Sequence, residues 1–110
     1  MSANITETII VFVTAGSINE AREIGKTLVD ERLVACCNIT NPIESIFQWQ
    51  GKVTIENEAL MICKTKEELF ERVADRIRQL HSYEIPEIIA VPIVRGSNDY
   101  LNWIRKETIQ

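Results

Sequence analysis

The chain has 110 residues, of which 45% are hydrophobic and 25% charged, a composition typical of an ordered globular protein. This length predicts one domain, residues 1–110, which buries roughly two-thirds of the surface that the unfolded chain exposes. Twelve basic residues against 16 acidic ones give a net charge of -4. Because no basic cluster interrupts this mixture, nucleic acid is a poor candidate partner.

The start of the chain, Met1-Ser2-Ala3-Asn4, has neither the basic residues nor the apolar run of a signal peptide. No stretch approaches 18 consecutive apolar residues, so we expect a soluble, cytoplasmic protein that does not enter a membrane. The three cysteines are an odd count without a Cys-x-x-Cys motif, and they do not form a disulfide framework. In a reducing cytoplasm we expect all three to be free thiols.

Residues 8–14 form a continuously apolar, largely β-branched run, which predicts a buried strand. Ser17 and Glu20 have the spacing of a capping box, in which a hydroxyl and a carboxylate each bond a backbone N–H, so a helix should begin there. That helix is expected to end near Glu31-Arg32. Its apolar stripe comprises Ala21, Ile24, Gly25, Leu28 and Val29.

Residues 33–65 predict a long β-hairpin that turns at Gln50-Gly51-Lys52, where glycine adopts a positive φ at little cost. Each arm exceeds ten residues, whereas most strands have five or six. Asn41-Pro42 predicts a bulge or bend in the first arm, because proline donates no ladder bond. The outer part of such a hairpin would expose Ile46, Phe47, Trp49, Val53 and Ile55. This surplus of apolar strand indicates a subunit partner.

Thr65 and Glu68 repeat the capping-box spacing and predict a second helix that ends at about Leu80. A polar connection over residues 81–87 leads to a third buried strand pattern over residues 88–94. A last helix begins near Ser97, with Tyr100, Leu101, Trp103 and Ile104 on its apolar side. The order of elements is that of an α+β, ferredoxin-like βαββαβ sandwich with an added C-terminal helix.

Cys36 and Cys37 are adjacent in a predicted strand, so their side chains point to opposite faces and do not readily chelate one metal ion together. Buried free cysteine is commonly a small hydrophobic residue, and this interpretation is the one we favour for Cys37 and Cys63.

His81 is the only histidine and lies in the polar connection with Glu84 and Glu87. A hydrogen-bonded structural role competes there with a role as metal ligand or general base. The two glutamates are suited to act as acid and base, but no nucleophile motif accompanies them. The sequence therefore gives catalysis no local support.

Five separated blocks give the chain a resemblance to the CutA family, which is named for divalent-cation tolerance. The blocks are Leu33-Val34-Ala35-Cys36, Trp49 with Gly51-Lys52, Lys64-Thr65, His81-x-Tyr83-x-x-Pro86-Glu87, and Tyr100-Leu101-x-Trp103. The resemblance covers nearly all of the chain. It implies a ferredoxin-like subunit in a stable homotrimer whose long hairpins join neighbouring sheets, with relatives among PII-type signalling proteins. It also implies copper binding through cysteine and histidine, as associated with some members.

Carried over by position, the resemblance makes Cys36 and His81 the expected ligands of copper or another divalent cation, which folding would not require. Val13 stands where some members have a further cysteine, so a site that needs two thiols at those positions does not form. A thiolate with an imidazole suits Cu(I) or Zn(II), but two ligands leave a tetrahedral site open. A trimer interface or exogenous ligands would have to complete it.

The large aromatic residues Phe47, Trp49 and Trp103 are expected to be interface or structural anchors.

The rival to metal binding is a PII-like sensor that binds a small anionic ligand in clefts between subunits. An enzyme that uses His81 with Glu84 or Glu87 is a third hypothesis, and a scaffolding protein is a fourth. We predict a protein that is not an enzyme.

Overall fold

The computed structural model describes residues 7–110, which form one four-stranded antiparallel sheet with three α-helices. The elements are β1 (Thr8–Ala15), α1 (Ile18–Asp30), β2 (Cys36–Trp49), β3 (Lys52–Lys66), a 3₁₀ turn (Glu67–Leu69), α2 (Phe70–Leu80), β4 (Ile88–Pro92) and α3 (Asn98–Glu107). The strand order is β2-β3-β1-β4. This arrangement confirms the predicted ferredoxin-like fold with a long hairpin and a C-terminal helix.

Helix α1 begins as predicted, because Ser17 Oγ accepts a hydrogen bond from the Glu20 N–H at 3.1 Å. The second bond of the capping box would run from a backbone N–H to the Glu20 carboxylate. This carboxylate instead accepts hydrogen bonds from Ser82, just after α2. The predicted stripe is buried at Ala21, Ile24, Gly25 and Leu28. Val29 was wrongly included in the stripe and is 40% exposed, because it lies at the edge of the face that meets the sheet.

The predicted capping box at Thr65 is wrong, because β3 continues to Lys66 and a 3₁₀ turn precedes α2. The Thr65 hydroxyl donates instead to the carbonyl oxygen of Leu33, at 2.6 Å and fully buried. This tertiary bond joins β3 to the loop after α1 and removes the hydroxyl from any capping role. The predicted end of α2 at Leu80 is confirmed.

One hydrophobic core joins the sheet to α1 and α2. Its fully buried members include Val11, Val13, Leu28, Met61, Cys63, Val73 and Ile77. The free edge of β4 is less covered than predicted, since Ile89 is 53% exposed and Val91 is 41% exposed. The buried strand expected over residues 88–94 is therefore an edge strand that pairs with β1 and ends at Pro92.

The hairpin divides into two halves at a register shift between Thr40 and Ile43, which confirms the bulge predicted at Asn41-Pro42. Strand β1 pairs with β3 only from Ala59 to Lys66. Residues 36–40 and 59–66, the inner half, therefore belong to the sheet. Residues 43–58, the outer half, extend beyond β1 as a two-stranded ribbon. All five apolar residues predicted to be exposed in this outer half are exposed in the single chain.

The turn at the tip has two residues, with Gln50 at φ 50° and Gly51 at φ 80°. Positive φ at both positions is the geometry that matches the right-handed twist of paired strands. The predicted turn at Gln50-Gly51-Lys52 is thus confirmed.

Candidate functional site

Cys36 is the first residue of β2 and is half-buried. Its Sγ lies 3.6 Å from the hydroxyl oxygen of Tyr100 in α3. The start of α3 is fixed by Ser97, whose Oγ accepts from the Tyr100 N–H at 3.2 Å. The hydrogen bond to Cys36, together with partial burial, raises the pKa of Tyr100 to about 12. Cys36 therefore has a polar neighbour on a partly exposed surface.

Trp103 extends this surface, because its ring stacks on Tyr100 with the centroids 5.5 Å apart. The indole is 39% exposed in the single chain, and Trp49 and Phe47 in the outer half are 60% and 38% exposed. None of these three predicted anchors is a core residue. Their role as interface anchors stays a prediction.

His81 follows the last residue of α2 and its side chain is fully buried. Nε2 lies 2.7 Å from the carbonyl oxygen of Thr14, and Nδ1 accepts the Tyr83 N–H at 3.0 Å. A carbonyl oxygen only accepts, so Nε2 is the donor in the bond to Thr14. Both ring nitrogens are engaged, which fits the structural role considered for His81.

The carboxylate of Glu20 lies beside His81, although the sequence pattern linked Glu20 only to the start of α1. Glu20 Oε2 lies 3.6 Å from His81 Nδ1 and accepts from the Ser82 N–H at 2.6 Å. Burial opposes the ionisation of Glu20, but the hydrogen bonds from Ser82 hold its pKa below the usual value. Glu84 and Glu87, proposed from the sequence as partners of His81, are exposed instead.

Tyr83 completes this group, which we call the histidine corner: Glu20, Glu58, His81, Ser82 and Tyr83. The Tyr83 hydroxyl donates to Glu58 Oε2 at 2.7 Å, and Glu58 is only 8% exposed. Burial, followed by the bond to Glu58 and the nearby carboxylates, raises the pKa of Tyr83 to about 12. Gly16 allows this approach, since a Cβ there would lie 3.3 Å from the Tyr83 hydroxyl.

One chain does not bring Cys36 and His81 together. Cys36 pairs with Lys64, which pairs with Ile10 of β1, whereas His81 bonds to Thr14 four residues further along that strand. Four residues of a strand span roughly 13 Å. Among residues 7–110, no group of three or more His, Cys, Asp or Glu side chains is placed to hold a metal ion. The donor set of a single chain therefore does not fit a complete metal site.

The structure also pairs two cysteines that the sequence pattern did not link. Cys37 and Cys63 are direct Cα partners in the β2–β3 ladder. If the strands are paired outward from the two-residue turn without a register shift, Cys37 lies opposite Lys64. Cys63 becomes the partner of Cys37 only when one extra residue is allowed in β2. The position of Asn41-Pro42 was the sequence signal for this extra residue.

Comparison with known proteins identifies the family of this chain. The model of the family described as CutA1 divalent ion tolerance protein matches residues 9–107. The chain belongs to the CutA1 family. The resemblance noted from the five sequence blocks is thereby confirmed.

Among CutA relatives, the divalent-cation tolerance protein CutA of Thermus thermophilus is 43% identical over 99 residues, 90% of this chain and 96% of that protein. A protein of Arabidopsis thaliana named CutA, chloroplastic, is 37% identical over 97% of this chain but 59% of its own length. The structure of a protein described as the periplasmic divalent cation tolerance protein CutA of Archaeoglobus fulgidus has a TM-score of 0.89 at 42% identity, covering 91% of this chain and 97% of that one.

The family description and the names of the Thermus and Archaeoglobus relatives refer to tolerance of divalent cations, and they name no reaction. The names also place relatives in two compartments, the chloroplast and the periplasm, so the cytoplasmic location of this chain stays a prediction. In residues 7–110 no helix combines the length and apolar character needed to cross a membrane.

Proposed function

We propose that this CutA1-family protein assembles as a homotrimer and binds copper or another divalent cation, with Cys36 as one ligand, and that this binding underlies its part in cation tolerance. The observation that carries the proposal is the position of Cys36. Its thiol is half-buried on the open edge strand of the sheet, 3.6 Å from a tyrosine hydroxyl. A soft thiolate at such a surface suits Cu(I).

The outer half of the hairpin supports assembly. Trp49, Val53 and Ile46 are each at least 60% exposed in the single chain, and a two-stranded ribbon alone is marginally stable in water. Strands β2 and β4 both present free edges, and β4 is rich in exposed aliphatic residues. Burial of these surfaces between copies would remove a large apolar area from water. Three-fold closure is what the family resemblance implies, and it satisfies every edge equivalently.

The role of His81 as a metal ligand stays a prediction, and it would require two changes in the surroundings of the ring. To coordinate a metal ion through Nδ1, the ring must lose the hydrogen bond from the Tyr83 N–H. It must also meet a thiol from another subunit, because the two residues of one chain lie at different ends of the sheet. A site built from Cys36 with ligands of neighbouring subunits needs neither change in His81.

Assembly is tested by light scattering at micromolar concentration. We expect a mass three times the 12.6 kDa of one chain. The Trp49→Ala variant should shift the mass towards that of the single chain on dilution, while Arg78→Ala, which removes an exposed pair with Asp75, serves as a surface control. A monomeric wild-type protein would refute the trimer.

Metal binding is tested by Cu(I) calorimetry against a competing chelator under reducing conditions. Cys36→Ser should lower the affinity about tenfold or more, because it removes a soft ligand. Binding should weaken below about pH 6, because protons compete with the metal ion for both the thiol and the imidazole of the predicted ligands. Cys37→Ser, which changes the adjacent thiol on the other face, is the matched control and should have little effect. Unchanged affinity in the Cys36→Ser, His81→Ala double variant would eliminate the site predicted from the sequence.

Parallel titration with nucleotides separates the rival function. Nucleotide binding to a trimer that takes up no metal would favour the PII-like sensor over metal binding.

A further inference from the structure

Cys37 and Cys63 face each other across β2 and β3 on the side of the sheet that α1 covers. They are direct Cα partners in the antiparallel ladder. In such a ladder, opposite Cα atoms are about 4.5 or about 5.5 Å apart, depending on the type of pair. Both separations lie within the range of about 4.4–6.8 Å that a disulfide spans. The Cα separation expected for this pair therefore permits a bond between the two sulfurs.

Gly25 of α1 sets the space above this pair. A Cβ at that position would lie 3.2 Å from Cys37 Sγ and 3.7 Å from the terminal methyl group of Met61. The helix thus rests directly on the Cys37 thiol, and only a glycine allows this distance without a shift. The side chain of Cys37 therefore lies on the same face of the sheet as Cys63.

The two thiols differ in their access to solvent. Cys63 has no exposed surface, whereas Cys37 is half-buried and lines an open groove of about 570 Å³ beside α1. The charged residues that line the groove are balanced, with Arg22 and Lys26 against Glu23 and Asp30. A small molecule can therefore reach Cys37 first, and Cys63 only through Cys37.

The order of reaction follows from this difference in access. Cys37 reacts first because a reagent in the groove reaches it and not Cys63. The thiolate is the form of a cysteine that attacks a disulfide.

We propose that Cys37 and Cys63 form an oxidisable dithiol that exchanges with low-molecular-weight disulfides of the glutathione class and closes a disulfide between β2 and β3. The Cys37 thiolate attacks one sulfur of the reagent, which forms a mixed disulfide and releases the first thiolate. Cys63 then attacks Cys37 Sγ, and its proton goes to the second thiolate that leaves. Two electrons pass from the protein to the reagent, and two molecules of small thiol are produced.

This proposal is independent of metal binding and of Cys36. Cys36 is also half-buried and is adjacent in sequence, but it points to the opposite face, beside Tyr100, and has no cysteine as its strand partner. Cys36 therefore provides an internal comparison. It can form a mixed disulfide with the reagent, but no cysteine opposite it in the ladder can displace the reagent to close a disulfide.

The test uses the full-length Cys36→Ser variant, folded at neutral pH and titrated with oxidised glutathione. We expect both remaining thiols to disappear with a mass loss of about 2 Da, and peptide mapping to link Cys37 to Cys63. Dithiothreitol should reverse the change. In the Cys37→Ser variant, which keeps Cys36 and Cys63, we expect only the mass gain of a bound glutathione and no link.

The proposal would be overturned if the Cys36→Ser protein stayed reduced, or if its reaction stopped at a mixed disulfide on Cys37. It would also be overturned if a non-reducing gel showed that the disulfide joins two chains. Circular dichroism before oxidation confirms that the reacting protein is folded. A bond that forms only in denaturant would count against the proposal in the same way.

Discussion

The inner and outer halves of the hairpin are both rich in apolar strand residues, yet their surroundings differ completely. Met61 in the inner half has no exposed surface, whereas Trp49 in the outer half is 60% exposed. The change occurs at Glu58 and Ala59, where β3 begins to pair with β1. The comparison shows that β-propensity and apolar content predict a strand but do not reveal which neighbour covers it.

The largest expected effect lies in the inner half. Met61→Ala should cost about 4 kcal/mol of the free energy of unfolding, because it leaves a cavity in a core that includes Leu28 and Val11. We expect the same loss at every protein concentration, measured by denaturant titration. Leu60→Ala, on the neighbouring and partly exposed side chain, is the control and should cost clearly less. Equal losses would show that the two faces of the inner half are covered alike.

The outer half should behave differently because its stability depends on assembly. Trp49→Ala should cost on the order of 3 kcal/mol if a partner buries the ring. Most of this loss should appear as a melting temperature that falls on dilution, because unfolding then includes dissociation. Lys52→Ala, at the strand partner of Trp49, is the matched control. A melting temperature that does not change in Trp49→Ala would mean that the ring stays exposed in solution.

The smallest effect is expected at the boundary between the halves. Tyr83→Phe should cost about 1.5 kcal/mol at neutral pH, because Glu58 loses a hydrogen-bond donor while it stays buried. The pKa of Tyr83 is about 12 in the folded chain, above the value of about 10 for an unfolded one. The contribution of the neutral hydroxyl is therefore complete below pH 10 and is lost as the pH rises towards 12.

Thermal melts between pH 8 and pH 12 measure this contribution. Wild-type stability should fall across the upper part of that range, and Tyr83→Phe should fall less. Tyr100→Phe is the comparison at neutral pH, since the Tyr100 hydroxyl contacts Cys36 instead of a buried carboxylate and its removal should cost less. Its pKa is also raised to about 12, so Tyr100→Phe should flatten the alkaline slope as well. Equal alkaline slopes for wild type and Tyr83→Phe would refute a special role for the Glu58 bond.

Much of the fold was predictable because local patterns agreed with it. Ser17 caps α1, Gly51 forms the turn with a positive φ, and Pro42 coincides with the register shift. Each of these signals depends on a few neighbouring residues. Local chemistry of this kind is fully present in the sequence.

The errors arose where a distant partner decided the outcome. Thr65 has the spacing of a cap, but the Leu33 carbonyl takes its hydroxyl. Glu20 has the spacing to return a capping bond, but Ser82 takes its carboxylate. Such tertiary bonds cannot be read from sequence spacing, because both partners lie more than 30 residues away.

The candidate site was predictable only in part for a similar reason. The sequence indicated that Cys36 and Cys37 face opposite ways, and the contacts of Cys36 with Tyr100 and of Cys37 with Gly25 agree with this. It gave no distance between Cys36 and His81, which depends on the register of three strands. The burial of His81 by Glu20 and Thr14 also needed the folded chain.

The register shift at Asn41-Pro42 sets the parity of the whole inner arm, and so decides which thiol lies under α1. If the same residues paired from the tip without this shift, Cys36 would lie opposite Thr65, which is fully buried on the core face. Side chains alternate between faces with a period of two, so Cys37 would then turn to the other face, beside α3. The bulge therefore places two adjacent and chemically identical side chains in two different environments.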